Sequence, residues 1–386
     1  MDSLAGEAEA GQRLKAQALR DFQPVPEEMR EDPRPGYELR LSPEDTPVPA
    51  LLKYALKLIG LPSDGPGEKV AWWVDFLYQG EWCQLAHRKF GVRLTLATEA
   101  SKDDAAKKMG RIVKQLRSSL SVVEKLIEDA APDLLGAGNA TVVNQHSSLR
   151  DAYEYFRERA LNPAVIADKT TVIEHEGGAT GTSFESGAIR MHMNAFHDMV
   201  AAITAYFSLV EHVLVLALPF SGFDPANDNL TTIIGWRWGE KFGRLLGTDG
   251  DASKYRQRLT EVVERWRNPY SHGGFEKGQG ATVYLHTPGV EAAVPIGLTK
   301  VANSPLFSLL PTNETDVAEV FDLFDEIDTW LKTTMPRAMQ WIDSGLNVRF
   351  DETFRSEVGA ARTDEEFEYL LERADDHQSM LDNMDF

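Results

Sequence analysis

Apolar positions recur every three to four residues along most of this chain, the spacing of helices that bury one face. Leu51, Leu52, Ala55, Leu58 and Ile59 predict a helix stopped by Gly60 and Pro62. Glu68 to Lys89 predicts a second, carrying Trp72, Trp73, Phe76, Leu77, Trp82 and Leu85. Asp103 to Ala131 predicts a long third, with Met109, Ile112, Leu116, Leu120 and Val123 on one side and Pro132 at its end. Further helices are expected over 141–162, 191–219, 230–246, 252–267 and 314–342, with a short one near Phe367 to Leu371. Strict alternation is rare. Val92, Leu94 and Leu96 suggest one strand or extended link, and 281–301 reads as a small hairpin split by Pro288-Gly289. The fold class is therefore mainly α.

The breaks between these runs divide the chain. Residues 1–44, with Pro24, Pro26, Pro33, Pro35 and Pro43, read as a flexible Pro-rich, acidic arm. A mostly helical N-terminal domain is expected over 45–165, and a loop or hairpin linker over 166–189. A further helical domain with the small β-hairpin is expected over 190–343, and an acidic C-terminal tail over 344–386. The linker's GGATGTS has the glycines of a phosphate-binding loop but lacks its lysine, which removes that reading. No repeat of fixed period is visible.

Composition narrows the setting. Cys83 is the only cysteine, so an intrachain disulfide and a Cys-based metal cluster are both excluded. With an N-terminus that lacks an apolar signal core, this predicts a cytoplasmic protein. Met199 to Phe220 is apolar and long enough to cross a bilayer. Glu211 and His212 in its middle, and flanks without excess Lys or Arg, point to a buried helix and no membrane association. His192 and His197 lack a third acidic ligand at a metal-site spacing, so neither metal nor cofactor is expected.

The net charge of −20 argues against a protein that coats nucleic acid, but the charge is uneven. Residues 312–386 carry 20 Asp/Glu against 6 Lys/Arg, whereas 237–277 carry 9 Lys/Arg against 6 Asp/Glu. That basic stretch contains Arg267-Asn268-Pro269-Tyr270-Ser271-His272, followed by Gly273 and Gly274. A permanent cation, an imidazole that titrates near neutrality and a backbone break meet there, which suits either a tight turn or a phosphoryl-transfer site. Pro269 disfavours α backbone at Asn268, so a helix is expected to end there, with Asn268 capping a new turn.

A long helix with Glu211 at its middle, a Trp-bearing helix, a third helix ending in Arg-Asn-x-x-x-His-Gly, a hairpin and a closing helix together resemble a HEPN domain over about 190–343. The resemblance implies an up-and-down helical bundle and a metal-independent endoribonuclease acting on single-stranded RNA, in which two protomers share one composite site. It also implies a setting in anti-phage defence or toxin-type growth arrest, with the N-terminal half engaging a regulatory partner. RNA supplies its own nucleophile, the 2′-OH, so the protein needs a proton carrier and fixed positive charge at the phosphate. His272 and Arg267 would be the catalytic pair, Asn268 an orienting residue, and Glu211 a carboxylate that orients Arg267. The alternative is a non-catalytic HEPN module that binds a protein or nucleotide.

Overall fold

The computed structural model describes residues 2–26, 36–174, 178–268, 281–286, 288–289, 294–298 and 314–383. It is mainly α, as expected. It divides into two compact units, residues 1–137 with 363–386, and residues 138–362.

The first unit is built on a sheet that the helical reading of 68–89 missed. Strands β1 (Phe22–Gln23), β2 (Gly36–Arg40), β3 (Val70–Tyr78), β4 (Glu81–Arg88) and β5 (Gly91–Ala97) form an antiparallel sheet in the order β1-β3-β4-β5-β2. Trp72, Val74, Phe76 and Tyr78 point inward at a period of two. The outward positions Trp73 and Leu77 are apolar as well, which filled the gaps and imitated a helical face. The deciding signal is Gln79-Gly80: both adopt positive φ (53° and 82°), and this two-residue turn joins β3 to β4. Helices α1 (Asp2–Ala16), α2 (Pro49–Leu58) and α3 (Lys102–Gly136) bury their apolar faces in the core that also takes the inward face of the sheet. Ser101 caps α3 by accepting from the Asp104 N–H. The helix runs through Pro132 to Gly136, because the missing donor falls in an exposed last turn.

The second unit surrounds one helix. After the short strand β6 (Thr141–Val142) and α4 (His146–Leu161), an exposed hairpin of β7 (Lys169–Glu174) and β8 (Thr180–Glu185) leads to α5 (Gly187–Leu216). In the most apolar 18-residue window of α5, 61% of residues are buried, so its hydrophobic length belongs to a core helix. Around it lie α4, α7 (Trp238–Leu246), a wide turn after α8 (Gly250–Val262), α9 (Glu314–Thr334) and α10 (Pro336–Asp343). Tyr206 of α5 stacks on Phe324 of α9, with ring centroids 3.8 Å apart.

Three expected helices are divided. Trp236 and Arg237 are extended between α6 (Leu230–Gly235) and α7, and the Glu240 carboxylate restarts the helix by accepting from the Arg237 N–H at 2.9 Å. Met335, forced out of α backbone by Pro336, separates α9 from α10. Past Val262, α8 widens into a different kind of turn, described below. Strands β9 (Ala281–Leu285) and β10 (Val294–Leu298) form the expected small hairpin.

The acidic C-terminal stretch holds more regular structure than a tail with one short helix near Phe367 to Leu371. β11 (Val348–Arg349) pairs with β6, and α11 (Glu352–Ala360) and α12 (Asp364–Asn383) bury Phe354, Val358, Phe367 and Leu370. These apolar residues recur at helical spacing between the charges, and the net charge concealed them. α12 groups with the first unit and α4 with the second, so the unit boundaries differ from those expected at 165 and 344.

Candidate functional site

α8 ends in a π-helical turn, Val263–Arg267, closed by the Asn268 N–H bonding to the Val263 carbonyl. A π turn adds a residue to the helical circuit and so re-aims the side chains that follow it, which is why such turns collect at functional positions. Three consecutive residues fan apart here. Arg265 lies over the Trp266 ring (4.2 Å to the centroid) and pairs with Asp316 of α9 at 2.7 Å. Trp266 is buried, edge-on to Phe196 of α5. Arg267, half-buried, sets its guanidinium carbon 5.6 Å from the ring centroid of Phe207 on α5.

Phe207 is fully buried and held edge-on by Trp238 at 5.2 Å, so Arg267 rests on a rigid aromatic floor. Among the described residues no carboxylate pairs with Arg267. Its charge is therefore neutralised by no neighbour described, whereas Arg258 and Arg265 are committed to Glu326 and Asp316.

Asn268 keeps α backbone (φ −61°, ψ −47°) although a proline follows it. The new turn it was expected to cap lies outside the described residues. His272, the expected proton carrier, lies outside the described residues.

Glu211 does not orient Arg267 either. Its Oε2 accepts from Lys241 Nζ of α7 at 2.8 Å, and Lys241 is 6% exposed. Glu211 stands one turn beyond Phe207 on α5, and Lys241 is the cation that reaches it. The pair locks α7 to the central helix. Glu211→Gln, which leaves a buried ammonium without its counter-charge, is expected to lower unfolding stability by about 2 kcal/mol in urea titrations. Adding Lys241→Met is expected to recover most of that loss. A Glu211→Gln protein as stable as wild type would show that the ammonium finds water instead.

A cleft of about 650 Å³ opens between the α8 end and α9, beside Arg265 and Trp266. Glu261, Glu264, Asp316, Glu319, Asp322 and Glu326 line it, against Arg258 and Arg265 alone. A polyanion would be repelled from that wall. The local excess of cations that the sequence suggested over 237–277 is thus offset by carboxylates from α9.

Next to Glu211, His212 shares a buried corner with His146 at the start of α4. His212 Nε2 accepts from the Gln145 N–H at 2.9 Å, which requires a neutral ring. Burial lowers both imidazoles below the ordinary 6.5; Arg150 lowers His146 further, and His146 lowers His212. Asp343 and Asp328 oppose these effects on His146, and Lys332 adds to them. A charged His146 would also face the positive end of α4. The folded state holds both rings neutral, so stability is full above about pH 6.5 and falls as pH drops toward the lowered values. Urea titrations between pH 8 and 5 are expected to show a smaller acid loss for His212→Gln than for wild type. An unchanged profile would assign the acid sensitivity to other groups.

The sequence did not reveal Phe207 as the seat of Arg267, nor Lys241 as the partner of Glu211, because both pairings join residues far apart in the chain. Among the described residues no group of three or more His, Cys, Asp or Glu side chains is arranged to hold a metal ion. Comparison of the chain with protein-family models, curated proteins and solved structures found no match.

Proposed function

We propose that this chain is a metal-independent endoribonuclease of HEPN type that cleaves single-stranded RNA. The observation that carries the reading is Arg267: a guanidinium with no carboxylate partner among the described residues, seated on the central helix at the end of a π turn. Supporting it is the order of elements in the second unit, a long core helix, a Trp-bearing pair, α8 ending in Arg267-Asn268, a hairpin and a closing helix. In this reading the 2′-OH attacks the adjacent phosphorus as His272 accepts its proton, forming the P–O2′ bond. The P–O5′ bond breaks, and the departing 5′ oxygen takes up a proton. The products are a 2′,3′-cyclic phosphate and a 5′-hydroxyl. Arg267 stabilises the charge that gathers on the phosphate oxygens. Two protomers would complete one site, in a cytoplasmic defence or growth-arrest role that the N-terminal half regulates.

The test is end-labelled RNA incubated with the full chain in EDTA, beside Arg267→Ala and His272→Ala. Cleavage by the wild type that both variants lose is the expected result. Equal cleavage by His272→Ala would remove the assignment. One observation favours the second reading, a non-catalytic module: six carboxylates line the neighbouring cleft, a surface suited to a cationic protein partner rather than to RNA. Failure of the wild type to cleave any RNA selects that reading.

A further inference from the structure

The five-stranded sheet of the first unit has two different faces. Its inward face, with Trp72, Val74, Leu85 and Leu94, belongs to the buried core shared with α1, α2 and α3. Its outward face can be read from the strand register. One row across the sheet runs Trp73, Ala86, Arg93, Arg40, from β3 through β4 and β5 to β2. The next runs Asp75, Gln84, Thr95, Glu38, with Gln84 Nε2 donating to Asp75 Oδ1 at 3.0 Å. Trp82, opposite Leu77, stands two rows from Trp73, about 13 Å along the strands.

Trp73 and Trp82 are both half-buried, and neither belongs to the core. Gly65 and Gly67 pack against the benzo edge of Trp73, where an added Cβ would approach it to 3.3 Å, so the loop fixes the indole in one orientation. Ala86, between Trp73 and Arg93 in the row, is small and buried. Arg88 adds a third cation to Arg40 and Arg93. Glu38 is shared by Arg88 (3.8 Å) and Arg93, and Arg40 is exposed. One carboxylate cannot occupy the N–H groups of three guanidinium forks, so this corner keeps positive charge and spare donors in an acidic protein.

We propose that this outward face binds single-stranded RNA, a base stacking on Trp73 while Arg40, Arg88 and Arg93 take the phosphates. Half-buried aromatics on an antiparallel sheet beside arginines can provide sequence-tolerant stacking together with backbone contacts. A duplex, whose bases are already stacked on one another, has nothing to offer Trp73. The choice of RNA over DNA rests on the ribonuclease reading; the stacking and charge argument does not.

Fluorescence anisotropy tests this with the full chain carrying His272→Ala, which keeps the probe uncut. The probes are a labelled RNA strand of roughly 12 nucleotides, the matching DNA strand and the RNA duplex. The single RNA strand is expected to bind more tightly than either. Trp73→Ala is expected to weaken it about tenfold, while Trp73→Phe retains most of the affinity. Arg40→Gln, at an exposed position, is expected to reduce the salt slope by about one. No binding of the RNA strand, or binding unchanged by both Trp73→Ala and Arg40→Gln, overturns the proposal. Equal affinity for the DNA strand overturns the assignment to RNA. Because binding is read without cleavage, its failure leaves the cleavage assay untouched, and failure of cleavage leaves the binding assay readable.

Discussion

Arg267→Ala is expected to slow cleavage of single-stranded RNA about a thousandfold, and Arg267→Lys about a hundredfold. The difference follows from the geometry a pentacovalent phosphate presents. Its equatorial oxygens match a planar fork with two parallel donors, whereas an ammonium is a point charge that satisfies them one at a time. Lysine keeps the charge and can still lie over Phe207, so the part of the loss that survives in Arg267→Lys measures the fork alone. Neither substitution should disturb the fold beyond about 1 kcal/mol, because among the described residues the side chain makes no ion pair, only the contact with the Phe207 ring. A large kinetic loss with an unchanged urea midpoint would therefore belong to chemistry rather than to unfolding. Phe207→Leu, which removes the floor but keeps an apolar filler, is expected to cost cleavage about tenfold or less. Arg267→Lys cleaving at the wild-type rate would contradict a role for the guanidinium at the phosphate.

How far the sequence reveals this arrangement depends on how far apart the interacting residues lie. The elements of the second unit follow from periodicity, since Phe207, Val210 and Leu214 on α5, or Val317, Phe321 and Phe324 on α9, repeat at helical spacing and are buried as that spacing requires. The sheet was misread because Trp73, Leu77 and Trp82 place apolar groups on its outward face, so alternation is visible only where Asp75 and Gln84 interrupt it. Met335 and Asn268 both precede a proline, yet only Met335 leaves α backbone. Only Asn268 follows a π turn, and no local pattern in the sequence announces that turn. The same holds for Lys241: its stem lies along an exposed-looking stretch of sequence, and only the fold buries it beside Glu211. Arg267 was legible as a candidate because its spacing to His272 is local; its seat on Phe207 was not.

Asp328→Ala is expected to lower the unfolding free energy by about 4 kcal/mol. Asp328 of α9 joins three helices. Its Oδ2 accepts from Arg150 Nη1 of α4 at 2.6 Å, and its Oδ1 lies 3.0 Å from the hydroxyl of Tyr206 on α5. Tyr206 is fully buried, and burial together with the nearby carboxylate holds its hydroxyl well above its ordinary pKa, so it stays protonated as a donor. Removing the carboxylate leaves a mostly buried guanidinium with only Glu154, 4.0 Å away, as counter-charge, while the tyrosine retains the Phe324 carbonyl at 3.1 Å. The cost is thus dominated by Arg150, which gives the prediction its internal check. Replacing the pair together, Asp328→Leu with Arg150→Met, is expected to restore most of the lost stability, because two apolar groups need no desolvation to be repaid. Asp328→Asn, which keeps one acceptor but no charge, should fall between them at about 2 kcal/mol. The network also reaches the candidate site: Phe324, stacked on Tyr206, lies edge-on to Phe207 at 6.5 Å, and Phe207 carries Arg267. Asp328→Ala should therefore lose cleavage only as it approaches its lowered unfolding midpoint, with the Arg267 contribution intact below it. A Asp328→Ala protein within 1 kcal/mol of wild type would mean that Arg150 is solvated at the junction, and the three helices would then be held by the Tyr206–Phe324 stack rather than by the carboxylate.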